Sequence, residues 1–343
     1  MTPLSDAAVT RLKRLGAWPE FAEPRYAVVE EIGRGGMGAV YLAIDEELRR
    51  EVAIKVPNAI ASAELEQRLR REARVLASLE HPGIVPIHDV GRLVDGRLFY
   101  VMKRVQGRTL RDEIEHVSDV MDRLRIFERI CDPVAFAHAH GFIHRDLKPE
   151  NVMIGSFGEV VVMDWGTVKS RQSAVASRQS TVSSRQSAVD RQSVVDHETS
   201  NDTSHGTVIG TRGFMAPEQA RGAVDEIDQR TDVYGLGAIL FLLVSNHVPE
   251  AEMDVPRALR GLHVARPLTA ICEKALAVER YDRYQTVAAL ADDVAAYRDG
   301  RAVGAYREGL FERLVRFGRT HRTAILLVLA YMAMRGLIAW LGR

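Results

Sequence analysis

The octapeptide HRDLKPEN, His144–Asn151, decides how the rest of this sequence is interpreted. Asp146 carries a carboxylate that can accept the proton of an attacking hydroxyl group, and Lys148 can neutralise charge on a transferring phosphoryl group. Asn151, five residues after Asp146, carries an amide oxygen that can ligate a metal ion. Eight residues in this order are too specific to arise by chance. The sequence therefore predicts that Asp146 and Lys148 are catalytic and that Asn151 binds metal.

A second candidate metal ligand follows thirteen residues after Asn151, in the tripeptide DWG. Asp164 of this tripeptide lies between the β-like run 159–163 and a glycine that can act as a hinge. The tripeptide alone is typical of an ordinary turn, but downstream of HRDLKPEN it predicts a second ligand for Mg²⁺. We therefore expect Asn151 and Asp164 to bind metal.

Three glycines, Gly33, Gly35 and Gly38, form the pattern G-x-G-x-x-G within GRGGMGAVY. The same spacing occurs in dinucleotide-binding turns, but those open a helix, whereas the residues that follow here alternate as a strand does. Glycines between two strands let backbone N–H groups approach phosphate oxygens without a Cβ in the way. The pattern favours a loop that binds nucleotide phosphates, with an ordinary glycine-rich turn as the alternative.

Lys55, in the run VAIK, lies in the middle of a predicted strand. A lysine that points inward from a strand is costly to bury unless it is paired. Glu72, among apolar neighbours of the next predicted helix, is the candidate partner. Such a pair beside a glycine loop would hold the α- and β-phosphates of a nucleotide, whereas a solvated lysine is the alternative.

Hydrophobic periodicity divides the sequence into a β-rich part and a longer α-rich part. Strands are predicted at 26–32, 39–44, 51–56 and 98–105, and an amphipathic helix over 63–79. From about residue 110 to residue 297 the pattern is mainly helical, with a stop at Gly141. The expected fold class is α+β, with a small β-rich lobe that contains one key helix and a larger α-helical lobe.

Composition excludes several classes of protein. Lys+Arg and Asp+Glu both number 46, so the formal charge is zero, which argues against a protein that wraps a polyphosphate. The two cysteines, Cys131 and Cys272, lie far apart in helix-like contexts, so reduced buried thiols are expected rather than a disulfide or metal site. The N-terminal extension, residues 1–25, lacks the apolar run of a secretory signal.

Together these motifs resemble the eukaryotic-like (Hanks-type) serine/threonine protein kinases of bacteria, membrane-anchored type. The resemblance covers residues 26–297 and includes REA with Glu72, GTRGFMAPE (Gly210–Glu218) and TDVYGLG (Thr231–Gly237). It implies a two-lobed kinase fold that binds ATP and Mg²⁺ in its cleft and phosphorylates serine or threonine of protein substrates. The alternative is a catalytically inactive pseudokinase that acts as a scaffold, although no group needed for the chemistry is missing.

The resemblance also assigns roles to individual residues. Met102 to Val105 correspond to the gatekeeper and the hinge. The ATP-binding residues that it implies are Ile32, Gly33, Arg34, Gly35, Gly36, Met37, Gly38, Ala39, Val40, Ala53, Lys55, Glu72, Met102 and Val105.

Four further residues are given roles by the same resemblance. Glu218 is expected to pair with Arg283, and Asp232 to brace the catalytic loop. Thr211 resembles the threonine that hydrogen-bonds the catalytic Asp and Lys in the Ser/Thr-directed subgroup, which predicts transfer to serine or threonine rather than tyrosine.

Two departures from the family pattern affect single regions. Trp165 stands where the family usually has phenylalanine, and we expect it to act as a bulkier apolar plug that leaves Asp164 able to bind metal. Between Ser245 and Ile271 the chain is shorter than the family normally allows. This is a region where substrates and regulators often dock, so the protein substrate stays open.

The third departure is a serine-rich insertion, residues 170–204, in the activation segment 164–218. It repeats Arg-Gln-Ser and holds ten serines and three threonines among 35 positions, without a glycine or an aromatic residue. So little apolar surface cannot offset the entropy of ordering, so disorder is expected. Without aromatic residues to stack on bases, nucleic-acid binding is not expected. A neutral low-complexity expansion is the alternative to a regulatory segment.

Arg145, directly before the catalytic Asp, indicates how the segment is regulated. In kinases with this arginine, a phosphorylated residue of the activation segment pairs with it and orders the segment. Thr203, Ser204 and Thr207 lie just before GTRGF, and one of them is expected to be autophosphorylated. The serines of the repeat are expected to be further phosphosites that dock a phospho-reading partner; they are Ser173, Ser180, Ser187 and Ser193.

The last part of the sequence predicts a membrane anchor. Residues 324–341 carry one charge, Arg335, and as a helix they would span about 27 Å. The arginines of the basic juxtamembrane segment, 298–323, mark the cytoplasmic side. The expected location is the inner membrane, with a single-pass helix and the kinase domain in the cytoplasm. An amphipathic or oligomerising helix is the alternative, and a homodimer is left open.

Overall fold

The structure of the chain is a computed structural model, which describes residues 18–35, 38–57, 63–165, 169–170, 212–250, 253–309, 312–313 and 322–341. These residues form two compact units, the first drawn from 1–116 and 129–209 and the second from 117–128 and 210–343. The expected fold class is confirmed, because a lobe built on an antiparallel sheet with one helix is followed by a mainly helical lobe. The serine-rich insertion after Ser170 lies outside the described residues.

The small lobe consists of β1 (Tyr26–Gly35), β2 (Gly38–Asp45), β3 (Arg50–Val56), α1 (Ala63–Ser78), β4 (Ile87–Arg92) and β5 (Leu98–Lys103). The five strands form an antiparallel sheet in the order β1-β2-β3-β5-β4. The four predicted strands and the predicted helix are all present. Edge strand β4 was not predicted, because none of its residues is fully buried and its sequence, IHDVGR, has a weak apolar pattern.

An apolar cluster on one face of this sheet is covered by residues that precede β1. The cluster includes Tyr41, Ile54 and Phe99, and Trp18 and Phe21 pack against it. The Phe21 ring meets that of Phe99 nearly edge-on at a centroid distance of 4.9 Å, a favoured arrangement for aromatic pairs. Part of the N-terminal extension therefore belongs to the small lobe.

The elements that follow are β6 (Gly107–Thr109), α2 (Leu110–Glu113), α3 (Val120–Ala139), β7 (Phe142–Ile143), β8 (Val152–Gly155), β9 (Val160–Val162) and β10 (Lys169–Ser170). Strands β6, β8 and β9 form a small antiparallel sheet. The chain leaves α3 at Gly141, whose φ of +81° suits glycine and confirms the predicted stop. The segment between β7 and β8, which holds HRDLKPEN, is thus fixed at both ends.

The second unit contains α4 (Pro217–Ala220), α5 (Gln229–Ser245), α6 (Val255–Gly261), α7 (Arg266–Ala275), α8 (Val287–Arg298) and α9 (Arg322–Leu341). Helix α5 begins after Asp228, whose side chain accepts a hydrogen bond from the N–H of Arg230, and it is buried over most of its length. A Cβ at Gly237 would lie 2.7 Å from that of Ala275, so glycine allows α5 and α7 to pack closely. Both cysteines are buried and reduced, as predicted.

A buried ion pair ties α4 to the segment before α8. Arg283 donates to both carboxylate oxygens of Glu218, at 2.8 and 2.9 Å, and the hydroxyl of Thr231 donates to the same carboxylate at 2.8 Å. Burial alone would raise the pKa of Glu218, but the bonds from Arg283 outweigh it and lower that pKa. The expected pairing of Glu218 with Arg283 is confirmed.

The chain beyond α8 folds back on that helix. Val303 is buried, and the backbone N–H groups of Gly304 and Ala305 donate to the carboxylate of Asp293 at 2.7 and 2.9 Å. The predicted C-terminal helix is present as α9, and large apolar side chains such as Leu327 are exposed there. Within the described ranges, however, no helix has the length and apolar character needed to cross a membrane.

Candidate active site

The predicted ion pair between Lys55 and Glu72 is present. Lys55 Nζ on β3 lies 2.9 Å from Glu72 Oε1 on α1, and their side chains are only 10% and 2% exposed. An unpaired charge would be costly to bury at either position. The pair therefore fixes α1 against the central strand of the sheet.

Asp164 extends this pair into a three-residue network, because its Oδ1 lies 2.8 Å from the same Lys55 ammonium. Burial would lower the pKa of Lys55, but the charges of Glu72 and Asp164 outweigh it and raise that pKa. Burial would likewise raise the pKa of Asp164, but the charge of Lys55 outweighs it and lowers that pKa. At neutral pH Lys55 therefore stays an ammonium and Asp164 a carboxylate.

The three residues predicted from HRDLKPEN meet around one carboxylate. Lys148 Nζ lies 2.8 Å from Asp146 Oδ2, and Asn151 Nδ2 donates to the same oxygen at 3.1 Å and to the Asp146 carbonyl at 2.7 Å. Asp146 is about one third exposed. An anchored but accessible carboxylate is suited to take a proton from a bound hydroxyl group.

One residue of HRDLKPEN and one of DWG adopt left-handed backbone conformations that non-glycine residues rarely accept. They are Arg145, with φ of 71°, and Asp164, with φ of 59°. Such conformations cost about 1–3 kcal/mol and persist only where the surroundings impose them.

His144 and Trp165 supply part of those surroundings. The N–H of Asp146 donates to His144 Nδ1 at 3.3 Å, and His144 Nε2 donates to the Met163 carbonyl at 2.9 Å. The fully buried Trp165 packs on the imidazole at a centroid distance of 4.7 Å, and its indole N–H donates to the Val162 carbonyl at 3.1 Å. The bulkier plug is thus anchored by a hydrogen bond that phenylalanine could not make.

The glycine pattern lies at the turn between β1 and β2, where Gly35 pairs with Gly38. A Cβ at Gly38 would lie 2.3 Å from the Val56 carbonyl oxygen, so packing requires glycine there. A Cβ at Gly35 would meet nothing within 4 Å. Packing therefore does not explain Gly35, whereas the approach of a phosphate would. Gly36 and Met37 lie outside the described residues.

The other predicted ATP-binding residues lie on neighbouring strands of the same sheet. Ala53 and Met102 are buried opposite each other on β3 and β5, and Val40 on β2 lies opposite Lys55. Half-buried Val105 follows β5, and Ile32 on β1 is 47% exposed. Ala39 is buried, Gly33 lies in β1, and the Arg34 side chain pairs with Glu31 at the surface.

The donors of Asn151 and Asp164 fit a magnesium ion. Because the Asn151 amide nitrogen bonds to Asp146, its side-chain oxygen remains to act as a ligand. The N–H of Met163 donates to the Asn151 carbonyl at 2.7 Å, so the residue directly before Asp164 is bonded to Asn151. Within the described part of the chain no three His, Cys, Asp or Glu residues form a metal cluster. Mg²⁺ usually takes one or two protein ligands together with water and substrate phosphates.

Comparison with known proteins identifies the family to which the chain belongs. The family model described as the protein kinase domain matches residues 26–285. The chain belongs to this family. Serine/threonine-protein kinase PknD of Protochlamydia amoebophila is 33% identical over 308 residues, which cover 81% of this chain and 30% of that protein. PknD of Chlamydia trachomatis serovar D is 33% identical over 305 residues, covering 80% and 32%.

The chain spans about a third of the length of these curated relatives. Among solved structures, the Mycobacterium tuberculosis PknI kinase domain is similar with a TM-score of 0.58 and 23% identity, covering 82% of this chain and 99% of that one. A mutant of the same domain gives a TM-score of 0.57 and 24% identity, covering 80% and 96%. At this identity the likeness shows the fold.

Several predicted regulatory residues cannot be placed in this site, because Thr203, Ser204, Thr207 and Thr211 lie outside the described residues. Asp232 is buried in α5. Sequence reasoning also missed Tyr100, whose hydroxyl donates to Glu72 Oε1 at 2.8 Å. The available signal was its position in an otherwise apolar strand, LFYVMK, where a hydroxyl needs a partner.

The two glycines of the loop should respond differently to alanine. Gly38→Ala should lower the free energy of unfolding by about 1–3 kcal/mol, because its Cβ would overlap the backbone of β3. Gly35→Ala should change it by less than about 0.5 kcal/mol but weaken the binding of ATP·Mg²⁺, because the new methyl group would occupy the approach of the phosphates. Urea unfolding and titration with a fluorescent ATP analogue measure both effects. Normal affinity in a folded Gly35→Ala protein would contradict this role.

Proposed function

We propose that this chain is an ATP- and Mg²⁺-dependent serine/threonine protein kinase that phosphorylates hydroxyl groups of protein substrates. The observation that carries the proposal is the Lys55 ammonium, held between Glu72 and Asp164 in the same compact unit as Asp146. Family membership and the serine/threonine-protein kinases among the relatives support it. No described feature favours the pseudokinase alternative.

The residues divide the work of phosphoryl transfer among them. ATP supplies the γ-phosphoryl group, and Mg²⁺, when bound, would offset the charge of its phosphates. Lys55 binds phosphate oxygens, and Asp164 and Asn151 would hold the metal. Asp146 orients the substrate hydroxyl and accepts its proton as the new O–P bond forms and the bond to the departing ADP oxygen breaks. Lys148, already 2.8 Å from Asp146, neutralises charge that develops on the transferring group.

Removing the proton acceptor tests the proposal. Asp146→Asn keeps the size and the hydrogen bonds of the side chain but cannot accept the proton, so transfer of ³²P from ATP·Mg²⁺ to a protein substrate should fall by about 10²–10⁴-fold. Asp132→Asn, an exposed aspartate on α3, is the matched control and should retain full transfer. Equal labelling by wild type and Asp146→Asn would contradict the proposal and favour the pseudokinase alternative. A product dominated by phosphotyrosine would contradict the serine/threonine assignment.

We also propose that the chain regulates itself by autophosphorylation at Thr203, Ser204 or Thr207. The support is the sequence of the activation segment together with Arg145, which directly precedes Asp146 and adopts the left-handed conformation described above. A phosphate there adds about −1.5 to −2 charge, which an arginine can bind. The serines of the Arg-Gln-Ser repeat would be separate phosphosites that dock a phospho-reading partner.

Two variants distinguish these roles. Replacing Thr203, Ser204 and Thr207 together with alanine should depress transfer to a protein substrate, because no phosphate would then order the segment. Deleting 171–195 should leave basal transfer intact while removing the phosphosites of the repeat, as mass spectrometry after incubation with ATP·Mg²⁺ would show. Full activity of the triple variant would place the switch elsewhere.

We further propose that the chain resides at the inner membrane with its kinase domain in the cytoplasm. The support for the single-pass arrangement is the sequence alone, in which arginines precede the apolar run 324–341. Full-length protein should stay with membranes after carbonate extraction, and a variant truncated after residue 321 should not. Recovery of the full-length protein as carbonate-soluble oligomers would favour the oligomerising helix instead.

A further inference from the structure

Tyr100 lies directly opposite Lys55 in the pairing of β3 with β5. Its side chain is 2% exposed and is among the largest fully or nearly fully buried side chains of the small lobe. The Lys55 ammonium lies 5.8 Å from the centre of its ring, within the range of a cation–π contact. The buried ring of Tyr100 therefore packs beside the Lys55 side chain.

The hydroxyl of Tyr100 reaches one oxygen of the Glu72 carboxylate. It donates to Oε1 at 2.8 Å, and the Lys55 ammonium contacts the same atom at 2.9 Å. Burial, and then the negative charge of Glu72, raise the pKa of Tyr100 well above its usual value, so the hydroxyl keeps its proton at any physiological pH. One carboxylate oxygen thus receives a charged donor from β3 and a neutral donor from β5.

These two donors differ in what they do during the reaction. Lys55 must also interact with nucleotide phosphates, so its ammonium group is shared between Glu72 and ATP. Tyr100 is buried and is not among the residues expected to bind ATP, so we expect its bond to Glu72 to persist when nucleotide binds. Phenylalanine would fill the same space without a buried hydroxyl that needs a partner. Packing alone does not explain the tyrosine.

We propose that Tyr100 is a positioning residue that holds Glu72, and through it Lys55, in the arrangement needed to bind and orient ATP. The inference rests on the proposed function. Because the Tyr100 hydroxyl links β5 to α1, it holds the Glu72 carboxylate beside Lys55 before nucleotide binds. Such preorganisation lowers the cost of binding and aligns the transferring group.

Tyr100→Phe removes only the hydroxyl, and Glu72→Ala removes its acceptor, so the two single variants and the double variant form a thermodynamic cycle. In the wild-type background Tyr100→Phe should lower kcat/KM for ATP by about five- to tenfold, since hydrogen bonds to charged groups are strong. The KM for the protein substrate should not change. In the Glu72→Ala background the same substitution should change kcat/KM for ATP by less than about twofold.

Tyr26→Phe is the matched control. Tyr26 is also a buried tyrosine of the same sheet whose hydroxyl donates to a carboxylate, that of Asp89, at 2.9 Å, but it contacts neither Lys55 nor Glu72. Tyr26→Phe should therefore keep kcat/KM for ATP within about twofold of wild type. Comparable kinetic losses in the two variants would mean that Tyr100 acts only through stability.

The same cycle is read by equilibrium titration with a fluorescent ATP analogue, which needs no turnover. If Tyr100 positions Glu72, its removal should weaken analogue binding in the wild-type background and not in the Glu72→Ala background. Equal weakening in both backgrounds, or none in either, would overturn the inference. If the variants bind the analogue with this pattern but the wild type transfers no phosphate, the proposed function fails while the positioning role stands.

Discussion

The small lobe is organised around one ammonium group. Lys55 is nearly buried, and burial of a lone positive charge would cost several kcal/mol, so its position depends on the carboxylates of Glu72 and Asp164. Each carboxylate belongs to a different element, one to α1 and the other to the segment after β9. A charge that needs two partners therefore acts as a geometric constraint on both elements. The charge of Lys55 in turn lowers the pKa of Asp164, which burial alone would raise.

The sequence was sufficient for features that depend on local pattern or on motif order. The alternating strands, the amphipathic helix and the grouping of Asp146, Lys148 and Asn151 could all be predicted, because the periodicity and the spacing of HRDLKPEN determine them. The partnership of Lys55 with Glu72 was also predictable, because a lysine within a strand requires a nearby acid. These predictions concern residues whose chemistry is costly if they are misplaced.

The features that could not be predicted depend on tertiary approach. The hydroxyl of Tyr100 finds its acceptor on a helix that is remote in sequence, and nothing in LFYVMK indicates which carboxylate that is. The different requirements of Gly35 and Gly38 also follow from one backbone oxygen of β3, although the motif presents both residues alike. Strand β4 was missed because it lies at the edge of the sheet and buries little. In each case the deciding contact comes from another element.

The fold-back of the chain beyond α8 bears on how much of the polypeptide is needed for the second unit to be complete. The family match ends at residue 285, yet Asp293 takes its partners from both directions, from the Tyr284 hydroxyl at 2.7 Å and from the backbone of Gly304 and Ala305. A shorter protein that ended with α8 would lose two of these three donors and the buried side chain of Val303. The segment 300–306 thus stabilises the helical unit through α8, and recombinant proteins intended for crystallisation should include it.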